Sequence, residues 1–371
     1  MSENTPLFPP LIRDLPSTVP FVGPEAQERA RGAPFAARIG ANESVFGPSP
    51  RAVEAIAAAA AGAWMYGDPE MHELREAVAA SLGIAPGSVM IGEGIDGLLG
   101  VTCRLFLAPG APVVTSLGGY PTFNYHVSGL GGVLHPVPYR DDRADLDALA
   151  AKATATQAKI VYLANPDNPM GGVWDAGALA RFRSALPPET ILLLDEAYGE
   201  TAPAETLPPL DPADDRVLRF RTFSKAQGLA GLRVGYVIGH PVLIDAYNKI
   251  RNHFGVGRVA QAGALAALQD RAWLTHVVAE IAASRDRIAA IARENGLVPL
   301  LSATNFVAID CGRDGAFAKA VLSSLLARGI FVRMPGVAPL DRCIRVSCGT
   351  AADLDAFATA LPAAVAEARG A

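Results

Sequence analysis

The sequence predicts an α/β protein: a large domain with a mostly parallel sheet covered by helices, followed by a smaller α+β domain. Three observations favour this fold class. The chain has 371 residues, 50% hydrophobic and 19% charged, which is enough to bury a large interior. Between residues 89 and 239, short apolar runs alternate with helical patterns, as in parallel sheets covered on both faces. After residue 260 long helices come first and strands follow, which suits a separate α+β unit.

The composition of the chain divides it into three parts. Residues 1–40 are rich in proline and are predicted to form an irregular N-terminal arm that joins the small domain. Residues 41–260 are assigned to the large domain and residues 261–371 to the small C-terminal domain.

Two helix starts are predicted early in the large domain. Ser49-Pro50 and Asp68-Pro69 each place a capping side chain before a proline at the first helical position. The strands predicted after them in the large domain are VMIG (89–92), APVVTSL (111–117), KIVYLAN (159–165), TILLLDE (190–196), VLRFRTF (217–223) and VGYVIG (234–239). Those of the small domain are FVAID (306–310), IFVRM (330–334) and CIRVSC (343–348).

Charge and cysteine usage limit the function classes. The net charge is −5, with 32 basic and 37 acidic residues, and no Lys/Arg run indicates nucleic acid or an anionic membrane. The four cysteines lack CxxC spacing and a His-rich neighbourhood, so we expect buried free thiols and no metal site. No apolar run reaches the roughly 18 residues of a membrane span, and no signal core is present. We therefore expect a cytoplasmic protein that binds small molecules.

The stretch VMIGEGIDGLLG contains G-x-G-x-x-G at Gly92, Gly94 and Gly97, after a strand and at the start of a helix. A dinucleotide site would need an acidic residue about 20 positions later, and PVVTSLGGYPTF has none. This disfavours a nicotinamide or flavin dehydrogenase. The remaining prediction is a phosphate bound by backbone N–H groups at a helix N-terminus.

A single lysine stands between a strand and a glycine-rich loop in TFSKAQGLAGLRVGYVIG. Lys225 follows Ser224, and Arg233 comes eight residues after the lysine. A hydroxyl, a guanidinium and a helix N-terminus are suited to a single phosphate. No GxxxxGK[ST] motif argues for a nucleoside triphosphate.

Two further polar stretches, LANPDNPMGG (163–172) and LLLDEAYGE (192–200), follow strands directly. Their side chains are therefore expected at the carboxyl ends of the strands, where open α/β sheets bind ligands. Taken singly, the first is explained by a turn and the second by a strand-end cap. Chance is a poor explanation for all of these motifs occurring in one chain in the order glycine-rich turn, NPxNP, DEAY, SK and distant arginine.

The assembled pattern resembles the fold type I pyridoxal-phosphate enzymes, specifically the class I/II aminotransferases and, within them, the histidinol-phosphate aminotransferase group. The resemblance covers nearly the whole chain; besides the stretches above it rests on IGANESVFGPSP (39–50), YGDPEMHELREAVA (66–79), FVRM (331–334) and CIRVSCGT (343–350). It implies the aspartate aminotransferase-like fold, pyridoxal 5′-phosphate as cofactor in the large domain, and transfer of an amino group between an amino acid or a histidinol-phosphate-like amine and a 2-oxo acid such as 2-oxoglutarate, by ping-pong chemistry.

The resemblance also implies catalytic roles. Lys225 would hold the cofactor as a Schiff base and, once displaced by the substrate amine, move the proton between Cα and the C4′ carbon. A lysine does this only when neutral, and burial beside cationic groups lowers its pKa. Asp195 would pair with the protonated pyridine nitrogen. Asn168 and Tyr198 would hydrogen-bond the phenolic oxygen of the ring.

Other cofactor contacts follow from the same resemblance. Tyr120 would stack on the ring face. The phosphate would be bound by a set of groups that project from the strand ends: the backbone N–H groups of Ile95 and Asp96 and the side chains of Thr222, Ser224 and Arg233. Tyr66 would reach the phosphate of the neighbouring subunit, which implies a homodimer with shared active sites.

On the substrate side, the resemblance places Arg345 as the partner of the substrate carboxylate or an equivalent anion, with Arg333 as a second anion contact and Asn42 and Asn168 nearby. The family commonly has an arm tyrosine that binds the substrate phosphate, and the matching position here is Phe21, which has no hydroxyl. We therefore expect histidinol phosphate not to be clearly preferred over an aromatic donor such as phenylalanine.

Two other functions compete with transamination. A decarboxylase or lyase of the same fold, of the threonine-phosphate decarboxylase type, shares most of these residues and differs only in which Cα bond lies perpendicular to the ring. The sequence leaves this alternative open. A transcription regulator that senses the cofactor would need a DNA-binding segment, for which residues 1–40 are too short and too rich in proline.

Overall fold

The computed structural model of the chain describes residues 7–17 and 22–370. Within them, the α-helices are α1 (Pro10–Arg13), α2 (Pro24–Arg31), α3 (Pro50–Ala60), α4 (His72–Leu82), α5 (Gly94–Phe106), α6 (Pro121–Gly129), α7 (Leu146–Thr156), α8 (Ala176–Ala185), α9 (Pro241–Ala246), α10 (Arg258–Gln269), α11 (Arg271–Glu294), α12 (Gly315–Ala327) and α13 (Ala351–Gly370). The strands are β1 (Ala37–Arg38), β2 (Val89–Gly92), β3 (Pro112–Ser116), β4 (Val133–Val137), β5 (Ile160–Ala164), β6 (Ile191–Asp195), β7 (Val217–Thr222), β8 (Gly235–Ile238), β9 (Val298–Pro299), β10 (Phe306–Asp310), β11 (Ile330–Phe331) and β12 (Cys343–Ser347).

The central sheet has seven strands in the order β2-β8-β7-β6-β5-β3-β4. Only β8 runs antiparallel to its neighbours, so the prediction of a mostly parallel sheet is confirmed. Strand β4 was not predicted, because its sequence VLHPV includes a proline; in the structure only one of its five residues is fully buried. It pairs only with β3 at the edge of the sheet, where proline is tolerated.

Helices cover both faces of this sheet. On one face, Leu99 of α5 and Phe123 of α6 pack in a core cluster that contains Tyr162 of β5. On the other face, Leu149 of α7 and Phe182 of α8 pack against the strand residues whose side chains point to that face. Successive side chains of a strand point to opposite faces, so β5 and β6, apolar throughout, supply both clusters.

The C-terminal part carries a three-stranded antiparallel sheet in the order β12-β10-β9. Helices α11, α12 and α13 enclose it in a separate apolar cluster. Strand β1 pairs in parallel with β11, Ala37 opposite Ile330, so the segment before residue 41 is joined to the C-terminal part by strand pairing. The arm is not irregular throughout: α2 begins with proline at its first position and ends at Gly32 in the left-handed conformation, a common helix stop.

One of the two predicted helix starts is correct. The Ser49 hydroxyl accepts a hydrogen bond from the Ala52 N–H at 3.1 Å and caps α3 as expected. The Asp68 prediction is wrong, because α4 begins only at His72. The Asp68 carboxylate instead accepts from the N–H groups of Glu70 (3.0 Å) and His72 (2.8 Å), and so caps an intervening turn.

Among the described residues, no helix is both long and apolar enough to cross a lipid bilayer. In the same part of the chain, no three His, Cys, Asp or Glu side chains are grouped so that they could hold a metal ion.

Candidate active site

A cavity of about 260 Å³ lies at the carboxyl ends of the parallel strands of the central sheet. This is the edge at which the sequence motifs were expected to meet. The predicted residues that line it are Ile95, Asp96, Tyr120, Asn168, Asp195, Tyr198, Thr222, Ser224, Lys225 and Arg233. Residues from five separate stretches of the sequence are thus brought to one place.

Lys225 follows β7, and its amine faces the cavity. Its Nζ donates a hydrogen bond to the backbone carbonyl of Asn42 at 2.9 Å. Enclosure of the amine by protein, followed by the positive charge of Arg345, lowers the pKa of Lys225 from 10.5 to about 8. About a tenth of this amine is therefore neutral at pH 7, far more than at an ordinary lysine, and the neutral form is the one that acts as a nucleophile and accepts a proton.

Asp195 ends β6 as a buried carboxylate. It accepts hydrogen bonds from the Tyr162 hydroxyl (2.6 Å) and from the Ala197 N–H (2.9 Å). Burial raises the pKa of Asp195 from 3.8 to about 6. A cationic group placed against it would lower this pKa again, so the carboxylate is suited to a protonated ring nitrogen. Tyr162 was not predicted to belong to the site, because in the sequence it is simply one residue of the apolar strand KIVYLAN.

A buried ion-pair cluster lies directly behind Asp195. Glu196 is fully buried and accepts from Arg219 (Nε at 3.0 Å, Nη2 at 2.5 Å) and from Arg221 Nε at 3.0 Å. Both arginines belong to β7, so the cluster ties the end of β6 to its neighbour. This pairing was not predicted, because polar residues two apart in a strand usually mark a face exposed to solvent.

Tyr198 is buried at the wall of the cavity, edge-on to Phe306 with ring centroids 5.5 Å apart. Its hydroxyl oxygen accepts a hydrogen bond from Asn42 Nδ2 at 3.1 Å. Burial raises the pKa of Tyr198 well above its usual value, so the phenol stays protonated. Since its oxygen already accepts from Asn42, its proton can be donated into the cavity.

The opposite end of the cavity is suited to a phosphate. Helix α5 begins there, and the first N–H groups of a helix have no partner within it. Arg233 Nη1 donates to Ser224 Oγ at 3.3 Å, and Thr222 Oγ1 accepts from the Ser224 N–H at 3.1 Å. Gly94 has a φ of 71°, and a Cβ there would lie 2.6 Å from Arg233 Nη2, so only glycine leaves the guanidinium in place.

The N-terminus of α5, Ser224 and Arg233 together form a phosphate cradle, and Asp96 and Tyr120 line the same cavity. The carboxylate of Asp96 is paired with His126 Nε2 at 3.0 Å, so only its backbone N–H suits an anion. Tyr120 lines the cavity, and burial raises the pKa of its hydroxyl to about 12, so its ring is neutral. A neutral aromatic ring is suited to contact a flat cofactor ring.

The two predicted anion-binding arginines lie side by side, joined through their backbones as an isolated β-bridge. Arg345 does not line the cavity itself, but its Nη1 donates to Asn168 Oδ1 at 2.6 Å. Its Nε is buried without a hydrogen-bond partner in the described part of the chain. Burial lowers the pKa of Arg345 to about 10, so it stays cationic at neutral pH and can bind an anion. Arg333 Nη2 donates to the Val22 carbonyl at 3.0 Å.

Tyr66 is not brought to the cavity within the single chain. Tyr66 is 78% exposed and packs against Phe254, with ring centroids 4.8 Å apart. Phe21 lies outside the described residues. Asn42, which was predicted to lie near the substrate, is buried beside the cavity and contacts both Lys225 and Tyr198.

The residues present fit pyridoxal 5′-phosphate. A nucleophilic amine, a buried carboxylate and a phosphate cradle closed by Gly94 occupy separate walls of one cavity. Lys225 would hold the carbonyl carbon of the cofactor, Asp195 its ring nitrogen, and the N-terminus of α5 with Ser224 and Arg233 its phosphate.

Comparison with known proteins agrees with this geometry. The family model for aminotransferase class I and II matches residues 37–361. The chain is 35% identical over 364 residues to a histidinol-phosphate aminotransferase of Rhodospirillum centenum, covering 96% of this chain and 98% of the relative. It is 36% identical over 331 residues to histidinol-phosphate aminotransferase 1 of Mesorhizobium japonicum, covering 88% and 89%.

Solved structures give the same result. Histidinol-phosphate aminotransferase from Sinorhizobium meliloti, in complex with pyridoxal-5′-phosphate, superposes with a TM-score of 0.94 at 55% identity over 98% of both chains. A Thermus thermophilus aspartate aminotransferase, 22% identical with a TM-score of 0.78, covers 95% of this chain and 99% of its own and supports the fold alone.

Proposed function

The chain belongs to the class I and II aminotransferases, as a pyridoxal-phosphate-dependent enzyme, and from this premise we propose that it moves an amino group between histidinol phosphate or an aromatic amino acid and 2-oxoglutarate. The observation that carries the proposal is the meeting of Lys225, Asp195 and a phosphate cradle in one cavity. The predicted alternative, a decarboxylase or lyase of the same fold, is not favoured, because the relatives described above are aminotransferases.

When bound, pyridoxal phosphate supplies a carbon that condenses with amines and a ring that accepts electrons from the bond broken at Cα. Lys225 is the group placed to hold that carbon and, when the substrate amine replaces it, to carry the Cα proton on its Nζ. The Asp195 carboxylate would accept a hydrogen bond from the protonated ring nitrogen. Tyr198 and Asn168 would donate toward the phenolic oxygen.

The substrate anion is assigned to Arg345, with Arg333 beside it. The Nε of Arg345, buried and without a hydrogen-bond partner among the described residues, and its Nη2 form one edge of the guanidinium, which is suited to donate two parallel hydrogen bonds to a carboxylate or phosphate. Asn168 already binds the other edge, so it fixes the plane of the guanidinium. A phosphorylated amine and an ordinary amino acid both carry an anion that this arginine can bind.

The reaction class is tested by product analysis. Incubating the cofactor-loaded enzyme with a donor amino acid and no acceptor should give one equivalent of the matching 2-oxo acid and no carbon dioxide. Carbon dioxide released over many turnovers, with no 2-oxo acid, would identify a decarboxylase instead.

The donor preference is a separate prediction. A hydrogen bond to a charged group contributes roughly 1.5–3 kcal/mol, so phenylalanine at position 21 could lower specificity for a phosphorylated donor by about 10- to 100-fold. We expect kcat/KM with phenylalanine to be at least comparable to that with histidinol phosphate, both measured against 2-oxoglutarate. A value for histidinol phosphate more than about tenfold higher would refute the argument from Phe21.

We also propose that the enzyme is a homodimer with shared active sites. The support is a set of exposed aromatic side chains: Tyr66 (78% exposed) packs against Phe254 (50% exposed), and Trp64, two residues before Tyr66 in the chain, is 82% exposed. Exposed aromatic clusters of this kind are typical of protein interfaces. Tyr66 belongs to the patch, and in a dimer it would reach the phosphate cradle of the other subunit.

The shared site predicts complementation between two inactive variants. Tyr66→Ala and Lys225→Ala chains should each be strongly impaired, and co-refolded mixtures should regain activity, because one hybrid site then has both residues intact. The measurement is the specific activity of the mixture, with hybrid formation followed by tag pull-down. Hybrids that form and stay inactive would exclude a shared site.

A cytoplasmic location is proposed as well. All four cysteines are free and buried, as expected in a reducing compartment. Fractionation of cells that express the chain tests this, and recovery in a secreted fraction would contradict it.

A further inference from the structure

A buried chain of hydrogen bonds leads from the small sheet to the active-site lysine. Ser347, at the end of β12, donates its hydroxyl to Asn42 Oδ1 at 3.0 Å and accepts from the Asn42 N–H at 2.9 Å. Asn42 then donates to Tyr198 and accepts from Lys225, as described above. Ser347 and Asn42 are 2% and 3% exposed, so no solvent competes for these bonds.

Asn305, in the loop before β10, supports the same segment. Its Nδ2 donates to the Asn42 carbonyl at 3.0 Å and to the Glu43 carbonyl at 3.3 Å. Asn42 itself has a φ of 56°, a left-handed conformation that asparagine tolerates better than most residues and that added hydrogen bonds stabilise further. Ser347 and Asn305 supply that support from the C-terminal part of the chain.

We propose that Ser347 and Asn305 are positioning residues: they hold the Asn42 carbonyl where it accepts from Lys225 and the Asn42 amide where it donates to Tyr198. This inference rests on the proposed function. The Asn42 carbonyl accepts a hydrogen bond from the Lys225 amine and stabilises the protonated form of that amine. It therefore holds Lys225 in place whenever its amine is not bound to the cofactor. The side-chain amide of Asn42 donates a hydrogen bond to the hydroxyl oxygen of Tyr198, so the phenol proton is left to point into the cavity.

The first test measures the protonation of Lys225 without using the cofactor. The full-length, cofactor-free chain is labelled competitively with acetic anhydride over a range of pH, and mass spectrometry of the Lys225 peptide gives the pKa. The charged groups around the amine are Arg345, Glu43, Arg233 and Asp195, and Ser347→Ala leaves all of them in place. We expect this variant to lower the pKa of Lys225 by about 0.5 or more, because the ammonium loses a fixed acceptor.

A matched control exists close by. Ser284 is also buried, at 6% exposed, and also makes two hydrogen bonds, to the N–H (3.0 Å) and carbonyl (3.2 Å) of Gly349. Its side chain does not contact Asn42. Ser284→Ala is expected to leave the pKa of Lys225 unchanged. An equal shift in both variants, or no shift in Ser347→Ala, would overturn the proposal.

The second test uses the loaded enzyme. Ser347→Ala should slow deuterium exchange at the Cα of a bound amino acid and lower kcat by about tenfold, with a smaller change in KM. Ser347→Cys retains a weak donor of similar size, should recover part of the exchange rate, and serves in place of Ser347→Ala if that variant does not fold. A change in KM alone would count against a positioning role. Since labelling needs no cofactor, an inactive wild type would refute the proposed function while the labelling result still decides this inference.

Discussion

Lys225→Ala is expected to lose transamination by several orders of magnitude while it still binds the cofactor. Under the proposed function, the substitution removes both the amine that would hold the cofactor and the base that would move the Cα proton, and a general base alone contributes about 10²- to 10⁴-fold to rate. The phosphate cradle does not include this side chain, so binding persists with lower affinity. Steady-state kcat and a spectrophotometric cofactor titration measure the two effects.

The covalent attachment can be located directly. Borohydride reduction of the loaded wild-type enzyme followed by peptide mapping should place the label on the Lys225 peptide. Lys249 is an exposed lysine outside the cavity, and Lys249→Ala serves as the matched control that retains activity. Label on Lys249, or a Lys225→Ala variant that keeps its activity, would exclude the assignment.

Asp195→Asn is expected to lower kcat by about 1000-fold. The amide has the shape of the carboxylate and can still accept the Tyr162 hydrogen bond, but it carries no charge to keep a ring nitrogen protonated. Without that proton the ring accepts electrons poorly. The measurement is kcat at saturating substrate, together with cofactor affinity. Tyr162→Phe removes only the hydroxyl that donates to Asp195 and should have a much smaller effect.

The same carboxylate predicts a pH dependence with a definite sign. Burial raises the pKa of Asp195 to about 6 in the cofactor-free chain, so the carboxylate takes up a proton as pH falls through that value. Cofactor affinity should therefore fall below about pH 6 in the wild type, and this part of the pH dependence should be absent in Asp195→Asn. Identical affinity profiles for the two proteins would remove the charge pair from the mechanism.

Several features of the fold and site follow from local sequence. The apolar runs before NPDNP, DEAY and SK predicted strands β5, β6 and β7, and the polar residues after each run predicted the edge at which the cavity lies. The start of α3 was predicted because Ser49 caps a helix within its own turn. These signals depend on residues near in sequence, so a single sequence contains them.

The missed features depend on partners far apart in the chain. Arg219 and Arg221 resemble a polar strand face, and only the position of Glu196 explains their burial. Tyr162 becomes part of the site because β5 lies beside β6. Strand β4 contains Pro136, and proline within a sheet is tolerated mainly at an edge strand.

The pairing of β1 with β11 has a consequence for how the enzyme assembles. Ala37 has no strand partner until Ile330 has been synthesised, and this contact has one of the largest sequence separations in the fold. Closing so long a loop is slow, and contacts of this kind are expected to form late in folding. The carbonyl of Asn42, five residues beyond Ala37, is therefore expected to settle against Lys225 only after ribosomal synthesis has passed the small sheet. During translation the central sheet can form first, and the site that it carries is completed last.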